Sequence, residues 1–194
     1  MRCLALTFFV TILFVSNART QVHYVISPRQ SYVKYFMKHP MHDWDGTSQS
    51  ISGSIDLATD SSSSQASVTI PVTSFDSHNG NRDSHTAETV ESYIYPNVSF
   101  KSTKIAPISP ANDKEVQKSE WRIEGEMTFH GVNKNISVPA HVAFEENRLI
   151  AEGEFELKPS EFDIALPKLM MIAVKDWLKI SFSIVAETAP KGSE

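Results

Sequence analysis

From residue 121 to residue 187, apolar and polar positions alternate in runs with a period of two. Trp121, Ile123, Gly125, Met127 and Phe129 share one face of a strand, and Arg122, Glu124, Glu126, Thr128 and His130 share the other. The reason is geometric: successive side chains of a pleated strand point to opposite faces. Ile136, Val138, Ala140, Val142 and Phe144 repeat the pattern, as do Leu149, Ala151, Gly153, Phe155 and Leu157, and then Leu178, Ile180, Phe182, Ile184 and Ala186. Such a chain builds one apolar face and one wet face. Closed on itself, the sheet is either a packed core or a container for an apolar molecule.

The front half reads the same way. Residues 22–27 and 32–38 are extended on either side of a Pro28-Arg29-Gln30 turn. Residues 48–58 follow with Ile51, Gly53, Ile55 and Leu57 inward, a serine-rich hairpin loop occupies 59–65, and Val68, Ile70 and Val72 mark the next strand. Between 77 and 95 the alternation stops, which suits one helix or a pair of turns lying as a flap on the barrel. Val98 and Phe100 open another strand, and 107–119 is a polar loop. The expectation is an all-β domain, a single antiparallel eight-stranded barrel with a short helical insertion. Residues 162–177 obey neither period. Phe162, Ile164, Leu166, Leu169, Met170, Met171, Ile172 and Val174 crowd together around Pro167, as a plug for one end of the barrel or as a soft lid over a ligand.

Residues 1–18 read as a signal peptide. Arg2 is followed by an apolar run too short to span a bilayer, and Ser16-Asn17-Ala18 offers small residues before a cut. The single cysteine, Cys3, falls inside that segment, so residues 19–194, expected to form one barrel domain, have neither disulfides nor thiolate chemistry. A periplasmic or secreted location and no transmembrane segment after cleavage are expected. The net charge of −5 without basic runs argues against nucleic acid as a partner.

Chemistry-bearing patterns are sparse. Gly53, Gly125 and Gly153 occupy inward positions of three strands, either to permit bends or to leave room inside. His39 and His42 with Asp43 and Asp45 imitate a metal site but lack a second pair, so no metal and no cofactor is expected. No Gly-x-Ser-x-Gly elbow occurs, and a hydrolase would rest on Arg82, Asp83 and His85 alone, which a helix start explains as well. Catalysis is therefore not expected.

Longer blocks are more specific. Tyr35-Phe36-Met37-Lys38-His39-Pro40, Gly53, Ser74-Phe75-Asp76-Ser77-His78-Asn79-Gly80-Asn81-Arg82-Asp83-Ser84-His85, Tyr95-Pro96-Asn97-Val98-Ser99-Phe100-Lys101-Ser102 and Gly125-Glu126-Met127-Thr128-Phe129-His130-Gly131-Val132 resemble, in this order, the signature blocks of the YceI-like family. The resemblance covers residues 22–187. It implies a lipocalin-like barrel, exported to the bacterial periplasm or beyond, that holds a long isoprenoid such as a polyprenyl diphosphate or a quinone tail. One departure is the stretch 166–172, where many members carry a shorter, glycine-containing turn. The glycosylation patterns at Asn97 and Asn135 would matter only in a eukaryotic secretory route, which the resemblance argues against.

The expected activity is non-catalytic binding, carriage or sequestration of that lipid, the alternative being an exported protein-interaction module with a fully packed barrel. Candidate ligand-binding residues are Phe36, Phe75, Phe100, Trp121, Met127 and Phe129, with Phe144, Phe155, Phe182, Met170 and Met171. Arg82, His85 and Lys101 are the candidates for a head group at the barrel mouth. Each buried methylene is worth about 0.8 kcal/mol, so one isoprene unit offers ~4 kcal/mol gross, and a few units can exceed the cost of immobilising the ligand. Exposed strand edges and the Met-rich stretch leave a homodimer possible.

Overall fold

The alternating segments build ten strands of one antiparallel sheet in a computed structural model that describes residues 21–58, 63–108, 119–169 and 171–188. They are β1 (Gln21–Ile26), β2 (Tyr32–Met37), β3 (Trp44–Ser48), β4 (Ser52–Ala58), β5 (Gln65–Pro71), β6 (Asn97–Pro107), β7 (Ser119–Phe129), β8 (Val132–Glu145) and β9 (Arg148–Leu157), then β12 (Leu178–Thr188). A separate hairpin, β10 (Lys168–Leu169) with β11 (Ile172–Ala173), and one helix, α1 (Gly80–Thr89), complete the regular elements of the described residues.

The ten segments close as an eight-stranded barrel because two of the strands are bent. One edge of β12 pairs with β9 from Leu178↔Leu157 to Glu187↔Arg148. The other edge pairs first with β2 and then with β1. β1 and β2 are therefore two halves of one strand folded at the turn Pro28–Gln30. Buried Ser31 cements the bend: its hydroxyl donates to the Ser27 carbonyl at 2.8 Å and accepts from the Val185 N–H at 2.9 Å. β3 and β4 are likewise halves of one strand, and fully buried Ser48 meets the Ser74 hydroxyl at 2.6 Å while accepting from Ser50 N–H at 3.1 Å. β1 also pairs with β4, so the ring closes.

Inward residues form one continuous core that includes Tyr24, Ile26, Ile51, Ile105, Leu149, Ile184 and Ala186. Two of the three inward glycines lie under aromatic rings. A Cβ at Gly125 would meet the Phe100 ring and the Lys101 carbonyl at 2.5 Å, and one at Gly153 would meet the Pro139 carbonyl at 2.3 Å and the Phe182 ring at 2.8 Å. Close approach, with a ring laid over the gap, explains both positions. Gly53 has φ +148° and sits against the Ser67 carbonyl, so it answers a backbone demand.

Residues 162–177 are core in part only. Phe162, Ile164 and Val174 are buried and plug one end, whereas the β10–β11 hairpin between them stands out, with Met171 94% exposed. α1, the 3-10 turn Pro159–Phe162 and the β2–β3 connection share this end with the hairpin.

Candidate functional site: the barrel interior and its capped end

The inward wall is largely apolar, with buried Ser48 and Ser102 as polar exceptions, and its burial is uneven. Ile51, Leu149, Phe162 and Ala186 are almost wholly buried. Val68, Phe100, Ile123, Ile136 and Phe182, which lie well inside their strands and pack against the same core, remain partly accessible. At these positions the wall is less completely covered by its own side chains than at the fully buried ones. Met127 is buried on this wall, and Trp121 and Phe155 are partly buried on it. Phe155 and Phe182 lie 6.4 Å apart in a tilted pair. Phe144 is 47% exposed at the far rim, edge-on to Trp121.

At the capped end the wall acquires polarity. Tyr35 points inward from β2, 7% exposed, with its ring 5.5 Å from Phe75 and packed over Gly46. Among the described residues its hydroxyl is buried with no partner at full hydrogen-bond geometry, Thr86 being the polar side chain that comes nearest to serving as one. Burial holds this phenol above its ordinary value, the neighbouring Asp83 adding to the effect and Arg82 opposing it. An orphaned buried hydroxyl is costly and is uncommon in a folded protein.

Arg82 stands beside it because of local helix-start chemistry. Asn79 caps α1, its side chain accepting from Arg82 N–H at 3.1 Å, and Asp83 accepts from Ser77 N–H at 3.1 Å. The Arg82 guanidinium lies 5.7 Å from the Trp44 ring centre and makes one long bond, 3.5 Å, to the Ser77 carbonyl. It faces the cap half-buried with most of its donors uncommitted among the described residues. Tyr35 was not among the sequence candidates; its inward parity with Val33 and Met37 was the signal that could have found it.

The head-group candidates do not converge. His85 lies on the solvent face of α1, paired with Glu88 at 3.3 Å, and Lys101 projects from the outer face of β6 opposite Glu126 and Ser67. Of the three, Arg82 is the one whose side chain packs on the cap, over Trp44. Phe36 also faces outward, between Lys34 and Lys38, where it meets Trp177 edge-on at 6.0 Å in a groove of about 530 Å³ on the outside of β2, β9 and β12. Phe75 and Phe129 do belong to the cap, Phe129 stacking on Phe162 at 5.6 Å. Met171 is at the hairpin tip, and Met170 lies outside the described residues.

His130 clips the cap shut. Its Nδ1 meets the Phe162 carbonyl at 2.9 Å, its Nε2 meets Glu91 at 3.2 Å, and Tyr95 packs edge-on at 4.8 Å. His39 is buried, accepting from Met41 N–H at 3.1 Å through Nδ1 and donating through Nε2 to the Ile172 carbonyl at 3.3 Å. Both of its nitrogens are thus engaged in holding the hairpin. Among the described residues no group of three or more His, Cys, Asp or Glu side chains is arranged to hold a metal ion.

A closed antiparallel barrel with a largely apolar wall, plugged at one end by a helix and a loop, defines a lipocalin-like β-barrel. The chain belongs to the YceI-like domain family, whose model matches residues 24–186. Among solved structures, BcnA from Burkholderia cenocepacia is similar, with 23% identity, a TM-score of 0.71, and coverage of 82% of this chain and 98% of its own. A polyisoprenoid-binding domain from Saccharophagus degradans matches with 13% identity and a TM-score of 0.67, covering 87% of this chain and 99% of its own. The Campylobacter jejuni YceI protein matches with 19% identity, a TM-score of 0.57, and coverage of 96% and 94%. At these identities the likeness is one of fold. No curated protein matches the sequence.

Proposed function

We propose that the barrel binds, and carries or sequesters without catalysis, a long apolar chain of the isoprenoid type, a polyprenyl diphosphate or a quinone tail. The observation that carries this reading is the residual accessibility of inward residues such as Val68, Phe100 and Phe182 well inside a closed ring. The polyisoprenoid-binding domain among its structural neighbours supports the same ligand class. The wall supplies affinity through methylene burial, at about 0.8 kcal/mol each. Phe75, Phe100, Met127, Phe129, Phe155 and Phe182 are the lining residues in this reading, with Trp121 and Phe144 at the far rim. Orientation comes from the capped end, where the Arg82 guanidinium and the Tyr35 hydroxyl offer an anion or a carbonyl the donors it needs. The protein would work in the periplasm or outside the cell; among the described residues no helix is long and apolar enough to cross a membrane.

The test is a titration of lipid-stripped protein with a prenyl quinone and with a polyprenyl diphosphate, followed by tryptophan fluorescence. Saturable uptake near one lipid per barrel is expected for one or both, and absence of uptake of either contradicts the proposal. The competing reading, a packed barrel that contacts another protein, draws on Tyr93 and Ile94, 99% and 63% exposed in the turn after α1. That reading gains if no lipid enters.

A further inference from the structure

Two histidine rings at the capped end are shielded from solvent and held in opposite ways. At His39 one partner donates and one accepts: the Met41 N–H points at Nδ1 and Nε2 faces the Ile172 carbonyl, so a neutral ring satisfies both. At His130 both partners accept. Nδ1 lies 2.9 Å from the Phe162 carbonyl and Nε2 lies 3.2 Å from the Glu91 carboxylate, so both nitrogens must carry a proton for both bonds to form. Remove one proton and a nitrogen lone pair faces an oxygen lone pair. The two arms differ in what happens next. Phe162 is 1% exposed, so its carbonyl has no water to turn to, whereas the Glu91 side chain is 52% exposed and can be hydrated. A neutral ring therefore keeps its proton on Nδ1 and lets Glu91 go. Glu91 organises the turn after α1, its carbonyl accepting from the N–H groups of Ile94 and Tyr95 at 2.8 and 2.9 Å. Its φ of +48° and that of His130, +51°, are left-handed values that side chains disfavour, so each is held partly against its own preference.

From this geometry we infer that His130 is a pH-operated latch on the cap: as imidazolium it ties the turn after α1 to Pro159–Phe162, and as neutral imidazole it releases that turn. The sign follows from the proton count. The closed cap binds one proton more than the released one, so closure is favoured on the acid side and weakens as pH climbs through the interval in which imidazole changes charge, about pH 5 to 8. Other ionisable groups on the packed elements are turned elsewhere. From the turn, Glu91 and Tyr95 meet the ring; from α1, Glu88 pairs with His85 at 3.3 Å; Lys158, Glu161 and Asp163 around Phe162, and Lys134 on β8, stand at exposed positions. The latch would work whatever the barrel encloses, and its test needs no ligand. In the carrier reading, the capped end would open more readily as the surroundings turn alkaline.

The experiment is hydrogen exchange of the lipid-stripped full chain at a series of pH values between about 5 and 8, expressed as protection relative to the free-peptide rate so that the intrinsic pH dependence cancels. Wild type should lose roughly tenfold in protection over 88–95 across this interval, the worth of one hydrogen bond to a charged group, while 159–164, β7 and β12 hold. Glu91→Gln is the decisive variant. Its amide can donate to a neutral Nε2, so this cap should stay protected at the alkaline end and its pH response should vanish. His130→Gln leaves nothing to titrate at this point and should also respond flatly, at lower protection. His85→Gln removes the pair with Glu88 on α1 and should retain the wild-type response. Spectra of the His130 ring nitrogens should show two protonated nitrogens at the acid end and Nδ1–H alone at the alkaline end. A flat wild type, a Glu91→Gln or His130→Gln variant that still loosens as pH rises, or a response that disappears with His85 overturns the inference.

Discussion

Tyr35 and Arg82 sit a few ångströms from an apolar interior with hydrogen-bonding capacity left over, and their substitutions separate folding from binding. Tyr35→Phe deletes a buried hydroxyl that lacks a well-formed partner among the described residues, so the empty protein should be unchanged or up to about 1 kcal/mol more stable in urea denaturation. Affinity for a polar-headed prenyl lipid should nevertheless fall about tenfold, the worth of one hydrogen bond to a charged group. The same variant has a pH signature. The phenol ionises nearer its ordinary value in the unfolded chain and only at higher pH in the fold, so native stability declines as pH climbs through that alkaline interval. Phenylalanine should flatten that decline. Arg82→Ala should weaken a diphosphate ligand far more than a quinone, because a guanidinium holds phosphate with two bonds and a carbonyl needs one; equal losses in paired titrations would contradict the assignment. Gly53→Ala should cost about 3 kcal/mol in the same denaturation assay, from its positive φ and from the Ser67 carbonyl standing where the methyl would go. Parity made much of this legible. Once Phe100 is inward, Lys101 must be outward, and Phe36 shares a face with Lys34 and Lys38, so the alternation itself excludes both from the interior. The burial of His39 and the orphaned Tyr35 hydroxyl are tertiary facts with no local trace.

Elements were legible in proportion to their period. β7, β8, β9 and β12 carry inward residues at every second position and appear where the pattern puts them, and the break after residue 77 does hold α1. The bends were harder to see. β1 and β2 look like independent strands in the sequence, because nothing local announces that Ser31 will bond across to Val185 and keep them on one edge of β12. The β10–β11 hairpin was invisible as strand, since two-residue strands have no period and the apolar run reads equally as plug or lid. The His130 ring ties Pro159–Phe162 to the turn that follows α1. His130→Ala should cost about 2 kcal/mol and, in hydrogen exchange, should accelerate amides of 159–164 and 88–95 while sparing β7 and β12; uniform acceleration would show that the ring acts on the whole barrel instead.

Over the whole molecule, closure converts a pattern into a compartment. Eight alternating strands leave a wall of apolar side chains facing one another, and a ring of this size is near the limit at which its own side chains fill the interior. Two of the glycine positions that suggested vacancy from sequence prove to be covered by the rings of Phe100 and Phe182. The partly accessible inner wall and its polar end at Tyr35 and Arg82 are what a prenyl chain and its head group would contact in the proposed carrier. Whether cargo travels with the protein is answered by native mass spectrometry of material purified from its own host without detergent, followed by solvent extraction. A retained mass of several hundred daltons that extracts as a prenyl lipid is the expected result. A bare polypeptide mass that also takes up no added prenyl quinone or diphosphate would contradict the account.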